Sequence, residues 1–103
     1  KAAEQGDPPS AFQLAEMFRD GTGVEQSDSQ YIHWLQIAAT SGDSDAQYQL
    51  GMCHLNGEYG LAVNMLEARR WLKMAAEDGY FSAVTVLERL NRYGDSGEEE
   101  EEE

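Results

Sequence analysis

The chain writes one short segment almost three times: Ala2-Ala3-Glu4-Gln5-Gly6, Ala38-Ala39-Thr40-Ser41-Gly42 and Ala75-Ala76-Glu77-Asp78-Gly79, at spacings of 36 and 37 residues. A period in that range marks stacked supersecondary units, each too small to bury its own apolar face. Function in such an array is sought on an extended surface and not in a closed catalytic pocket. Shifting the chain by 36 residues pairs Leu14-Ala15 with Leu50-Gly51 and Gly21 with Gly57. After a one-residue insertion, Gly23-Val24 matches Gly60-Leu61, Tyr31 matches Ala68, and Trp34-Leu35 matches Trp71-Leu72. Ala46 and Leu50 recur as Ala83 and Leu87.

Within a unit the apolar spacing is helical. Ala46, Leu50, Cys53 and His54 lie about one turn apart, as do Ala68, Trp71, Leu72, Ala75 and Ala76. Each unit therefore reads as two helices. Ser27 with Gln30, and Asn64 with Glu67, each offer an N-cap oxygen and a third-position side chain able to reach back. Gly42 and Gly79 follow the Ala-Ala pairs where a left-handed residue ends a helix, and Asp43 is placed to cap the next one. The spacing predicts helices near Pro9 to Asp20, Asp28 to Ser41, Ser44 to Asn56, Met65 to Asp78 and Phe81 to Arg92. The turns Gly21-Thr22-Gly23 and Gly57-Glu58-Tyr59-Gly60 are expected to use positive φ.

Small residues at Ala15, Gly51 and the Ala-Ala pairs permit close helix approach, with Trp34 and Trp71 filling the space between helices. The fold class is accordingly all-α, an α-solenoid of antiparallel helix pairs. The units run 7–42, 43–79 and a partial, capping third over 80–94, with 1–6 ending a preceding unit.

These residues resemble the Sel-1-like repeat family, an α-solenoid relative of the tetratricopeptide repeats. The second unit supplies the family pattern as Ala46, Leu50, Gly51, Gly57, Gly60, Leu61, Ala68, Trp71, Ala75, Ala76 and Gly79. The first supplies Ser10, Leu14, Ala15, Phe18, Gly21, Gly23, Val24, Tyr31, Trp34, Ala38, Ala39 and Gly42. Departures are His54 in place of Tyr, Tyr31 in place of a small Ala, and the added Pro8-Pro9. The resemblance implies partner binding without catalysis. For a bacterial source it implies an exported or periplasmic adaptor, assembly factor or immunity protein. A few relatives are linked to β-lactam binding or cleavage, which makes a hydrolase the rival from another class. Some members staple each repeat with a cysteine pair, whereas this chain has only Cys53.

Composition narrows the partner. The chain carries a net charge of −13 with pI near 4.3. Setting aside Asp95 and Glu98 to Glu103 leaves about −6 on the remainder. That excess argues against nucleic acid and against anionic membrane surfaces, and favours a basic protein or peptide, although acidity also serves solubility. No apolar run reaches the ~18 residues of a membrane span. The stretch 95–103 is expected to be a disordered acidic tail. Lys1 to Gly6 reads as the last turn of a helix from a longer array.

Candidate chemistry is sparse. Adjacent helical residues point about 100° apart, so Cys53 and His54 do not share a metal, and His33 lies on another helix. Cys53 occupies a position held by Met17 and Leu90 in the other units, which suits packing and not nucleophilic attack. Asp43 and Asp45 open a helix, where the dipole accounts for them. No catalytic residue, cofactor site or metal site is expected. The remaining candidate is a concave binding face: Phe12, Gln13 and Glu16, matched by Tyr48, Gln49 and Met52, and then by Thr85, Val86 and Arg89. Two alternatives stay open: Phe12 and Tyr48 pack between units, or the whole segment is the C-terminal cap of a larger scaffold.

Overall fold

The computed structural model describes residues 10–94. The segment 1–6 and the tail 95–103, to which the sequence assigned a helix end and disorder, lie outside the described residues. Among the described residues five α-helices follow one another: α1 (Ala11–Asp20), α2 (Asp28–Thr40), α3 (Ser44–Asn56), α4 (Met65–Glu77) and α5 (Phe81–Arg89). Each packs on its neighbour in sequence, α1 on α2, α2 on α3, α3 on α4 and α4 on α5. This all-α chain of antiparallel pairs is the expected solenoid.

Local chemistry sets the helix ends. Ser27, Asp43 and Asn64 accept from the backbone N–H groups of Gln30, Ala46 and Glu67, as expected of N-caps. The reciprocal capping box forms at Ser10 instead, where Gln13 Oε1 accepts from the Ser10 N–H at 2.9 Å. Glu67 turns along its helix to Arg70, 3.4 Å away. At the far ends of α2 and α4 the chain makes the same motif twice. Gly42 and Gly79, at φ 105° and 91°, donate to Ala39 and Ala76, while Asp43 and Tyr80 donate to Ala38 and Ala75. Both carbonyls of each repeated Ala-Ala pair are thus satisfied in a Schellman closure, which needs the left-handed residue that glycine supplies.

The last helix differs from expectation. Its α-helical hydrogen bonding ends at Arg89, and Leu90–Gly94 continues as a π-helical turn. Tyr80, at the slot Asp43 fills one unit earlier, makes no side-chain cap. It stacks on Tyr48 instead, with ring centroids 5.0 Å apart.

Two apolar clusters form the core. The first gathers Ala15, Tyr31, Leu35, Ala39, Ala46, Leu50 and Cys53, with Trp34 and Trp71 packed partly buried against it. The second gathers Ala68, Leu72, Ala75, Ala83, Val86 and Leu90. Gly51 faces α4 so closely that a Cβ there would lie 2.8 Å from Leu72 Cγ and 3.2 Å from the Ala68 carbonyl oxygen. The connection from α3 to α4 holds the inserted residue by placing Tyr59 at φ 57°, where its ring meets Tyr31 edge-on at 4.5 Å. Tyr31, which departs from the small residue of the pattern, is thereby enclosed at 1% exposure.

Candidate functional site

The expected ridge is built on α1, α3 and α5. Gln13 and Arg89 are exposed, and Glu16 and Gln49 are partly buried. Phe12 packs against the first cluster, and Tyr48 and Met52 pack against the second. The packing alternative left open for Phe12 and Tyr48 is therefore physically present, since each aromatic has one side on the core. Gln13 spends its amide oxygen on the capping box. Arg89 stands in the last turn of α5, where a cation complements the carbonyl end of a helix.

Nucleophilic chemistry finds little support at Cys53. The thiol is 2% exposed, and burial pushes its pKa up to about 11, with Tyr31 opposing more weakly. Burial likewise raises Tyr31 well above the ordinary phenol range, with Cys53 adding to the effect. The Arg19 guanidinium lies 5.8 Å from the centre of the Tyr31 ring and bonds Asp20 at 3.0 Å, which lowers the Asp20 carboxyl. Among the described residues no three of His, Cys, Asp and Glu converge into a metal site. No described helix is long and apolar enough to cross a membrane.

Sequence reasoning missed two features. Five of the seven Lys and Arg residues fall between Arg69 and Arg92, so the acidic excess is weighted toward the first three helices and the tail. Gln47 is a buried polar side chain, 4% exposed, at a slot held by Ala11 in α1 and Val84 in α5. An amide in a series of small apolar residues was the available signal. Shallow grooves also run along the second helices of the pairs, past His33, Ile37 and Thr40 on α2 and past Leu66, Arg70 and Lys73 on α4.

Helix pairs repeating every 36 to 37 residues, with equivalent Schellman closures, define a helical-repeat module. The repeat can be named. Residues 8–43 and 44–80 each match the Sel1 repeat model, and the chain belongs to the Sel1 repeat family. Members of this family generally act as non-catalytic protein-interaction modules.

The fold is similar to the crystal structure of a Sel1 repeat protein from Oxalobacter formigenes, with TM-score 0.77 and 32% identity, over 82% of this chain and 62% of that one. In sequence the chain is 26% identical over 100 residues to chitin synthase regulatory factor 3 of Schizosaccharomyces pombe, covering 90% of this chain and 11% of that protein. It is 40% identical over 54 residues to an exopolysaccharide production negative regulator of Rhizobium meliloti, covering 52% of this chain and 20% of the relative. The chain thus spans a fifth or less of these two relatives' lengths.

Proposed function

We propose that this chain is a non-catalytic adaptor or scaffold module that binds a protein or peptide on the concave face of its solenoid. The ridge would comprise Phe12, Gln13, Glu16, Tyr48, Gln49, Met52 and Arg89. The observation that carries the reading is the grouping along α3: Tyr48 and Met52 rest on the second cluster and stay partly exposed, and Gln49 beside them is likewise only partly buried. Aromatic and Met side chains anchored on one side offer contact area at small entropic cost, and the amide supplies orientation. Both curated relatives are named as regulators, which agrees with a module that acts by binding. A basic partner matches the net charge, with acidic residues on α1 to α3 steering its approach.

The test uses changes that spare the core. Gln49→Arg and Glu16→Lys are expected to weaken affinity for the physiological partner, by about tenfold together, with unchanged circular dichroism. Unaltered affinity in the double variant removes the ridge from the account.

A second reading is that the segment caps a longer scaffold. It is favoured by the polar outer surface of the last turn, where Glu88, Arg89, Asn91 and Arg92 are exposed and Asn91 accepts from Arg69 at 2.9 Å. Under this reading the isolated chain fails to capture a partner that the full-length protein captures.

A further inference from the structure

The cleft where α2 and α4 end is chemically one-sided. Gly42, Gln47, Met74, Glu77 and Asp78 line a space of about 320 Å³. Helix C-termini carry partial negative charge, and α1, α3 and α5 each answer it with a basic residue in the last turn: Arg19, His54 and Arg89. Neither α2 nor α4 has one. Glu77 and Asp78 add two carboxylates at the same place, and the Ser44 hydroxyl on α3 donates to Asp78 and holds it across the junction.

Gln47 supplies an independent sign of a missing donor. Its Nε2 donates to the Ala39 carbonyl at 3.1 Å, and because a carbonyl only accepts, this bond fixes which way the amide faces. Oε1 is left buried without a partner among the described residues, on a side chain that itself lines the cleft. A buried acceptor without a donor is costly, and the equivalent Ala11 and Val84 show that packing at this slot does not require an amide. With one Nε2 hydrogen given to Ala39, the lining side chains bring three acceptor groups to the cleft: Gln47 Oε1 and the carboxylates of Glu77 and Asp78. The absence of three converging metal ligands among the described residues disfavours a bare metal ion. Met74 adds an apolar wall suited to an alkyl stem.

We propose that this cleft binds a protonated amine or guanidinium carried on an aliphatic stem, as a lysine or arginine side chain of a partner protein would present it. The identity of the donor as a partner's side chain rests on the interaction-module reading; the cation preference of the cleft does not.

The experiment is a titration of the whole chain with n-butylammonium and n-butylguanidinium, followed by ¹H–¹⁵N spectra, with n-butanol as the neutral control. Saturable shifts are expected at the Gln47 side-chain amide and along Met74 to Gly79. Glu77→Gln and Asp78→Asn should each weaken binding by about threefold. Gln47→Met, which keeps the shape and removes the acceptor, should weaken it further with the fold intact by circular dichroism. Shifts reproduced by butanol, no saturable shift at Gln47, or equal shifts at distant carboxylates such as Asp28 would each overturn the proposal. The same titration on Gln49→Arg separates the two ideas. Retained cation binding there, beside lost partner affinity, supports both sites. Unchanged partner affinity beside retained cation binding sinks the ridge alone.

Discussion

Replacing Gly51 by alanine sets two known effects against each other. In an exposed helix the change stabilises by about 1 kcal/mol, because glycine loses more backbone entropy than alanine. Here the new Cβ would stand 2.8 Å from Leu72 Cγ, 3.1 Å from Leu72 Cδ2 and 3.2 Å from the Ala68 carbonyl oxygen. Leu72 is fully enclosed and the third atom is backbone, so neither neighbour gives way cheaply. Overpacking of this kind costs about 1–3 kcal/mol, and three simultaneous contacts place it near the middle of that range, about 2 kcal/mol. The expected net effect of Gly51→Ala is a loss of about 1 kcal/mol, seen as a drop in Tm of about 4–8 °C. Leu72→Ala alone should cost about 3 kcal/mol through its cavity. In the Gly51→Ala background that cost should fall by about 1 kcal/mol, because the added methyl occupies vacated space. Equilibrium urea unfolding of the four proteins in this cycle measures both quantities. Stabilisation by Gly51→Ala, or additivity of the two changes, would refute the argument that the α3–α4 contact needs a missing side chain.

Two further predictions concern the first cluster. Tyr59 holds a left-handed backbone and a ring contact with Tyr31 together, so Tyr59→Ala keeps the strain and loses the contact, whereas Tyr59→Gly loses the contact and relieves the strain. The glycine variant should be the more stable of the two by about 1 kcal/mol in thermal unfolding, and equal midpoints would count against the strain. For Cys53 the folded thiol is raised to about 11 from an ordinary 9.0, mainly by burial, so the unfolded chain loses its proton first as pH rises. Stability from this group is complete below about pH 9 and declines toward pH 11, and Tyr31 shifts in the same direction. Urea midpoints across that window should fall less steeply for Cys53→Ala than for the parent chain; identical slopes would contradict a sealed thiol.

The repeat made most of the helical architecture legible, because a residue type recurring at a fixed period identifies a structural slot before its contacts are known. Ser27, Asp43 and Asn64 announced helix starts through local chemistry that the structure reproduces. Contacts between distant residues were less accessible. Nothing in the spacing says that the inserted Tyr59 reaches Tyr31, or that Asn91 meets Arg69. The end of α5 is not legible in the sequence because Leu90, Asn91 and Arg92 are acceptable helical residues, and the change to π bonding leaves no mark in composition. The ridge was ambiguous for a deeper reason. A solenoid helix has neighbours on more than one side, so apolar periodicity alone does not separate a residue packed between units from one lining a groove. Tyr48 does rest on Tyr80, and its binding role is a claim about its remaining surface. Gln47 is distinctive only beside Ala11 and Val84, the small apolar residues that hold its slot in the other units.

Residue-level photo-crosslinking tests the central claim, that partners are met through the first helices of the repeats. A photoreactive phenylalanine analogue placed at Gln49 is compared in native extract with the same group at Ile37, which is exposed in the groove along α2. The account predicts a discrete protein adduct from position 49, competed away by unlabelled chain, and none from position 37. An adduct confined to position 37, or equal labelling from both, would contradict it.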